Sequence, residues 1–185
     1  MTLSKALAPS QSLLTRAVMV LGGSFFIALA AQVSVPMVPV PMSLQTLAIL
    51  IVGLSFGARM GALTLVAYLA EGAMGLPVFA GGGTAPALVG PTAGFLYGFV
   101  AMAWIAGFAA DRGARGVVTM ALAALAASAL LYIPGLAWPA LVMGKTVPEL
   151  LSGWMLPFLA GDAVKAVIAA LVVSGGWAML KNRKA

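Results

Sequence analysis

Residues 151–180 read LSGWMLPFLAGDAVKAVIAALVVSGGWAML, with Asp162 and Lys165 as their only ionisable side chains. About 20 predominantly apolar residues suffice to cross a bilayer as a helix. The run therefore predicts a transmembrane helix that carries two charges within it. Moving outward, the rest of the chain has the same character. It is 63% hydrophobic and 8% charged over 185 residues, where a soluble domain has about 25% charged residues. A soluble chain this short leaves much of its surface in water and could not hide so much apolar area. A bilayer removes that constraint, and the length suits one transmembrane domain over residues 1–185.

Charges, glycines and prolines divide the chain into six apolar segments: Ala17–Val35, Leu44–Gly57, Met60–Phe79, Thr92–Ala110, Val117–Ile133 and Leu151–Leu180. The expected fold is an all-α integral membrane protein with six transmembrane helices. An even number of spans puts both termini on one side. That side carries Lys5, Arg16, Arg59, Arg112, Arg115, Lys181, Arg183 and Lys184, and the other only Lys145. Cytoplasmic loops carry the excess of Lys and Arg, so both termini are expected in the cytoplasm. A rival reading takes Arg16, the following apolar run and Ala28-Leu29-Ala30 as a signal peptide. The long charged leader, and the five spans that cleavage would leave, favour a retained helix. The net charge of +6 does not point to nucleic acid, because the basic residues punctuate apolar runs and form no basic patch.

The outward-facing connections are rich in proline and glycine: Val35–Pro41, Ala80–Pro91 and Pro134–Pro148. Proline cannot continue a helix, and glycine lets backbone approach a ligand closely. These loops read as a binding mouth or as plain turns, and the first could also dip back into the membrane. No internal repeat stands out. Gly57/Gly61 and Gly90/Gly94/Gly98 have the spacing that brings helices close. Trp104, Trp138, Trp154 and Trp177 are expected as interface anchors.

Ionisable groups inside a membrane are costly and mark sites. Asp162 and Lys165, three residues apart, share a helical face. As a mere packing pair they would be a poor choice, since desolvation offsets their attraction. A polar ligand is the better reading, with a carboxylate to accept N–H bonds and an ammonium to meet an anion or carbonyl. Glu71 is either a rim residue or part of the site. Gln45 either binds ligand or bonds a neighbouring helix. Phe79, Phe95 and Tyr97 lie close to the glycine-rich loop, where they would flank a ligand ring. The chain has no Cys and no His, which excludes thiol and His-based chemistry and the usual zinc sites. It has no P-loop motif, so energy for uphill movement would come from a partner or an ion gradient. No nucleophile or cofactor motif accompanies the charged pair, and neither an enzyme nor a resident cofactor is expected.

Three stretches carry a resemblance. They are Pro39-Val40-Pro41-Met42-Ser43-Leu44-Gln45-Thr46-Leu47; Gly75–Gly83 leading to Gly90-Pro91-Thr92-Ala93-Gly94-Phe95; and Pro157–Lys165, ending in Gly-Asp-x-x-Lys. In order and spacing the chain resembles the BioY family, biotin-specific S components of energy-coupling factor (ECF) transporters. Ala93 departs from the family's usual Gly-Pro-Thr-Gly-Gly. The resemblance implies six membrane helices and a biotin pocket near the outer face, closed by the first and third outer loops. It implies that Asp162 and Lys165 bind the ligand, and Gln45, Glu71, Phe79, Gly82, Thr92 and Tyr97 complete the expected set. It further implies a location in the bacterial inner (cytoplasmic) membrane. The implied partners are a transmembrane coupling (T) subunit and two ABC-type ATPases. The alternative is a chain, alone or as a homo-oligomer, that takes up biotin without them.

Overall fold

Backbone in hydrocarbon must satisfy its own hydrogen bonds, so apolar runs become helices. The computed structural model describes residues 2–7, 12–37 and 41–182. A short α1 (Leu3–Leu7) precedes α2 (Leu13–Gln32), α3 (Gln45–Phe56), α4 (Ala58–Ala73), α5 (Ala93–Asp111) and α6 (Val117–Met143). The single turn α7 (Val147–Leu150) then passes through a π turn (Leu151–Met155) into α8 (Leu156–Asn182). Each of the six expected segments overlaps one of the longer helices, α2 to α6 and α8.

The boundaries differ from expectation in instructive ways. The first span begins at Leu13, where the Ser12 hydroxyl caps the helix by accepting from the Thr15 N–H at 3.2 Å. The third ends at Ala73 and does not reach Phe79, because Gly75 takes φ +94° and Pro77 follows. The fifth does not stop at Ile133 but continues through Pro134 and Pro139 to Met143. Each proline removes one backbone donor and kinks a helix in water, but neighbouring helices make this tolerable in a membrane. The Pro134–Pro148 segment is therefore mostly helix. Its non-helical part shrinks to Gly144, Lys145 and Thr146, with Gly144 in the left-handed conformation that ends α6.

Among the described residues, four helical segments are long and apolar enough to cross a membrane: Leu13–Gln32, Ala93–Asp111, Val117–Met143 and Val147–Leu180. The α3 helix, with 12 residues, rises only about 18 Å, and α4, with 16, about 24 Å. A bilayer core is about 30 Å thick. Short helices survive at this depth because protein, not lipid, surrounds their ends. In α3 that is plain: Gln45, Ala48, Ile49, Leu50, Val52, Gly53 and Leu54 are all buried, against α2, α4, α5 and α8.

Close packing at α5 depends on small residues. A Cβ on Gly94 would collide with the Pro134 carbonyl of α6, and one on Gly98 would sit 2.8 Å from Leu131 and Pro134. Gly61 of α4 lies 3.2 Å, by the same measure, from the backbone of Gly53. The outward surface is apolar, with Leu21, Phe25 and Leu29 of α2, Leu141 of α6 and Val172 of α8 all exposed. Large side chains so placed belong against lipid, and the protein is a multi-pass membrane protein.

One end of the bundle is basic. Arg59 opens α4 and Arg112 closes α5, while the Arg115 guanidinium lies 4.4 Å above the Trp177 ring of α8. Lys145 is at the other end, paired with Glu149 at 3.1 Å. Arg183 and Lys184 lie outside the described residues. At this other end Ser34–Val35 pairs antiparallel with Met42–Ser43, a short hairpin where the sequence left a binding mouth, a plain turn and a re-entrant dip open; residues 38–40 between its strands lie outside the described residues.

Candidate functional site

The end opposite the basic one holds a cavity of about 220 Å³. Four sources supply its wall. The hairpin and the start of α3 give Pro41, Met42, Ser43, Gln45 and Thr46, the α4–α5 connection gives Phe79 and Thr92, α5–α6 give Phe95, Phe99 and Tyr132, and the last helix gives Trp154, Phe158, Asp162 and Lys165. Its floor and sides are aromatic, with one polar end.

That polar end is built by three helices. Asp162 accepts a hydrogen bond from the Tyr132 hydroxyl of α6 at 2.6 Å. Lys165 donates to the Thr46 hydroxyl of α3 at 3.1 Å and lies 3.7 Å from the nearer Asp162 oxygen. The two charged side chains keep only 10% and 13% of their surface exposed. At 3.7 Å the contact is an ion pair too long for a good hydrogen bond, so the ammonium keeps donor capacity for a ligand. Buried charges are tolerated when paired and hydrogen-bonded, and both conditions hold. Because Asp162 and Lys165 are one turn apart, they lie together at one end of the cavity.

A second polar chain starts at Gln45, the neighbour of Thr46. The Gln45 amide donates to the Tyr68 hydroxyl at 2.8 Å, and that hydroxyl donates to the Val78 carbonyl at 2.8 Å. Phe79, the next residue, is 2% exposed and meets the Tyr68 ring edge-on at 5.3 Å between centroids. Glycine makes this possible, since a Cβ on Gly72 would overlap the Phe79 ring. The loop after α4 therefore folds back and inserts its aromatic into the bundle.

A sequence model of the BioY family matches residues 4–182. This chain belongs to the BioY family. The biotin transporter BioY of Rhizobium etli is 35% identical over 167 residues, covering 84% of this chain and 89% of that one. The probable biotin transporter BioY of Pyrococcus horikoshii is 37% identical over 154 residues, 80% of this chain and 90% of its own. A 2.1 Å crystal structure of the S-component for biotin from an ECF-type ABC transporter superposes with a TM-score of 0.76. It covers 95% of this chain and 96% of its own at 22% identity, which establishes a common fold.

Within this BioY-family chain the expected site residues part into two groups. Asp162, Lys165, Gln45, Phe79 and Thr92 line one cavity. Glu71, Gly82 and Tyr97 are elsewhere. Glu71 accepts a hydrogen bond from the buried Ser24 hydroxyl of α2, which makes it a bridge between α2 and α4. Gly82 lies in the connection after α4, donating its N–H to the Gln32 side chain at 3.0 Å. Tyr97 is 46% exposed and donates to the Leu88 carbonyl at 2.8 Å. Among the tryptophans, Trp154 departs from the expected interface role, being 3% exposed and part of the cavity wall.

Sequence reading missed Thr46, Tyr132 and Gln32. Thr46 sits beside Gln45 in a stretch already singled out, so its signal was present. Tyr132 is an isolated phenol in an apolar run, and only the packing of α6 on α8 brings it to Asp162. Gln32 ends α2 and grips the loop after α4: its amide N–H group is 3.1 Å from the Phe79 carbonyl, and its oxygen accepts from Gly82.

Proposed function

We propose that this chain is the membrane-embedded biotin-binding subunit of a biotin importer. One observation carries the reading: an aromatic cavity of about 220 Å³ ends in a single buried Asp162–Lys165 pair. Biotin has an apolar thioether ring, a ureido group with two N–H donors and a carbonyl, and a carboxylate tail. Phe79, Phe95, Phe99 and Phe158 suit the ring. Lys165 gives an N–H to a ligand oxygen, and Asp162 accepts from a ligand N–H. Gln45 and Thr92 add neutral polar contacts. The BioY relatives, named as biotin transporters, agree with this chemistry.

The protein binds and releases its ligand without altering it, and needs no resident cofactor. With no P-loop of its own, it is energised by a transmembrane coupling subunit and ABC-type ATPases. Basic loops face the cytoplasm of a bacterial inner membrane, with both termini there and the cavity opening outward. A biotin titration of the purified protein tests the reading. Stoichiometric binding, displaced by dethiobiotin, is expected; a folded protein that takes up no biotin overturns it. Uptake in cells lacking every coupling subunit would instead establish the stand-alone mode.

The Gln32 clamp leads to a second expectation. Gln32 touches no part of the cavity but holds the backbone of Phe79, which does. Loss of a net hydrogen bond is worth about 0.5–1.5 kcal/mol. Gln32→Ala should therefore raise the biotin Kd about two- to tenfold, through faster dissociation. Unchanged dissociation in a stopped-flow chase would show that the loop holds itself in place.

A further inference from the structure

The lipid-facing side of the bundle carries a second concavity, between α2 and α3 and remote from the biotin cavity. Its α2 wall comprises Val18, Met19, Gly22, Gly23 and Phe26, and its α3 wall includes Ile51, Ser55 and Phe56. The two adjacent glycines have different jobs. A Cβ on Gly23 would stand 2.9 Å from Phe56 and Thr64, so this glycine brings α2 against its neighbours. A Cβ on Gly22 would meet nothing within 4 Å, so the missing side chain there leaves the groove open.

Shape and charge limit the occupant. From Val18 to Phe26 the groove runs about 12 Å along α2, within one leaflet of a core about 30 Å thick. Its volume of about 260 Å³ over that length gives a mean cross-section of about 20 Å², against about 80 Å² or more for a helix 10–12 Å across. That is the width of one hydrocarbon chain, whereas a helix could only rest across the groove's mouth and leave it largely unfilled. Arg16 lies three residues before Met19 and seven before Gly23, on the same helical face at the groove's basic end. Arg59 opens α4, which packs on α2. Both arginines are exposed. Among the described residues the acid at this end is Asp111, and its carboxylate is already occupied by the Ala58 N–H at 2.9 Å.

We infer that this groove holds an acyl chain of an anionic phospholipid from the leaflet facing the basic loops, with Arg16 on its phosphate. Basic pockets between membrane helices on that side hold anionic headgroups, at about 1 kcal/mol per basic residue. The placement in the cytoplasmic leaflet rests on the orientation proposed above; the groove itself does not.

The test is lipid retention by the purified full chain, measured by native mass spectrometry after exchange into mixtures of phosphatidylglycerol and phosphatidylcholine. Wild type should keep phosphatidylglycerol in preference. Arg16→Gln should lower that preference about fivefold, the ratio given by ~1 kcal/mol. Gly22→Leu, which fills the groove with no backbone strain, should lower retention of both lipids. Biotin binding should be unchanged in each variant, which also shows that each is folded. Equal retention of the two lipids by wild type, or wild-type retention by both variants, overturns the inference. So does a Gly22→Leu variant that keeps its lipid but no longer co-purifies with coupling subunits, because the groove would then belong to a partner helix.

Discussion

Lys165→Ala is expected to weaken biotin binding about tenfold to over a hundredfold, read by calorimetry on the purified protein. The estimate follows from losing one hydrogen bond from a buried charged donor, about 1.5–3 kcal/mol. The variant will also be less stable. It leaves the Asp162 carboxylate in the bundle with Tyr132 as its remaining partner, and breaking a buried pair by removing one member costs about 3–5 kcal/mol. Lost binding could then reflect lost fold. The double variant Asp162→Asn with Lys165→Met separates the two effects. It removes both charges at similar volume, so thermal stability should return to near wild type or above it. Binding should stay weak, because neither the anion nor the cation remains for the ligand. A double variant that is stable and binds biotin like wild type would make the pair a packing device and end its role in recognition.

What could be read from sequence was set by which residues violate their surroundings. Asp162 and Lys165 stand out because charge in an apolar run demands a reason, and the structure places both in the cavity wall. Phe79 and Gln45 lay in stretches singled out for other grounds. Tyr132, Thr46 and Gln32 break no local rule, since a phenol within an apolar helix, or a hydroxyl or an amide at a helix end, is ordinary. Their importance arises only where α6, α3 and the loop after α4 meet. Glu71 shows the converse. It violates the apolar pattern as plainly as Asp162, yet its partner is Ser24 on α2 and it does not line the cavity. A misplaced charge thus signals a partner, and only packing says whether that partner is a ligand or another helix. The helix boundaries followed the same logic. Hydropathy marks where a span can be, but Pro134 and Pro139 read as a loop because the proline penalty of water was carried into a bundle that relieves it.

Gly107→Val is expected to cost about 3 kcal/mol or more, seen as a large drop in the unfolding temperature in detergent. Gly107 lies in α5, where any Cβ would collide with the backbone of Gly57 and Ala58. Those residues form the elbow between α3 and α4, and Gly57 holds φ +84° there, a conformation that side chains resist. The elbow cannot simply yield. One turn beyond Gly107, Asp111 binds the Ala58 N–H at 2.9 Å, so pushing α5 away also breaks a charge-assisted bond. Overpacking alone costs about 1–3 kcal/mol, and the lost bond adds to it. Gly175→Ala is the control: a Cβ there meets nothing within 4 Å, and stability should be unaffected. The consequence reaches the ligand. The elbow sets how α3, which carries Gln45 and Thr46, and α4, which carries Tyr68, sit against α5. Thr46 in turn holds the Lys165 ammonium. Gly107→Val should therefore lose biotin binding along with stability. A variant with wild-type unfolding temperature and wild-type affinity would show that the elbow is softer than its geometry demands.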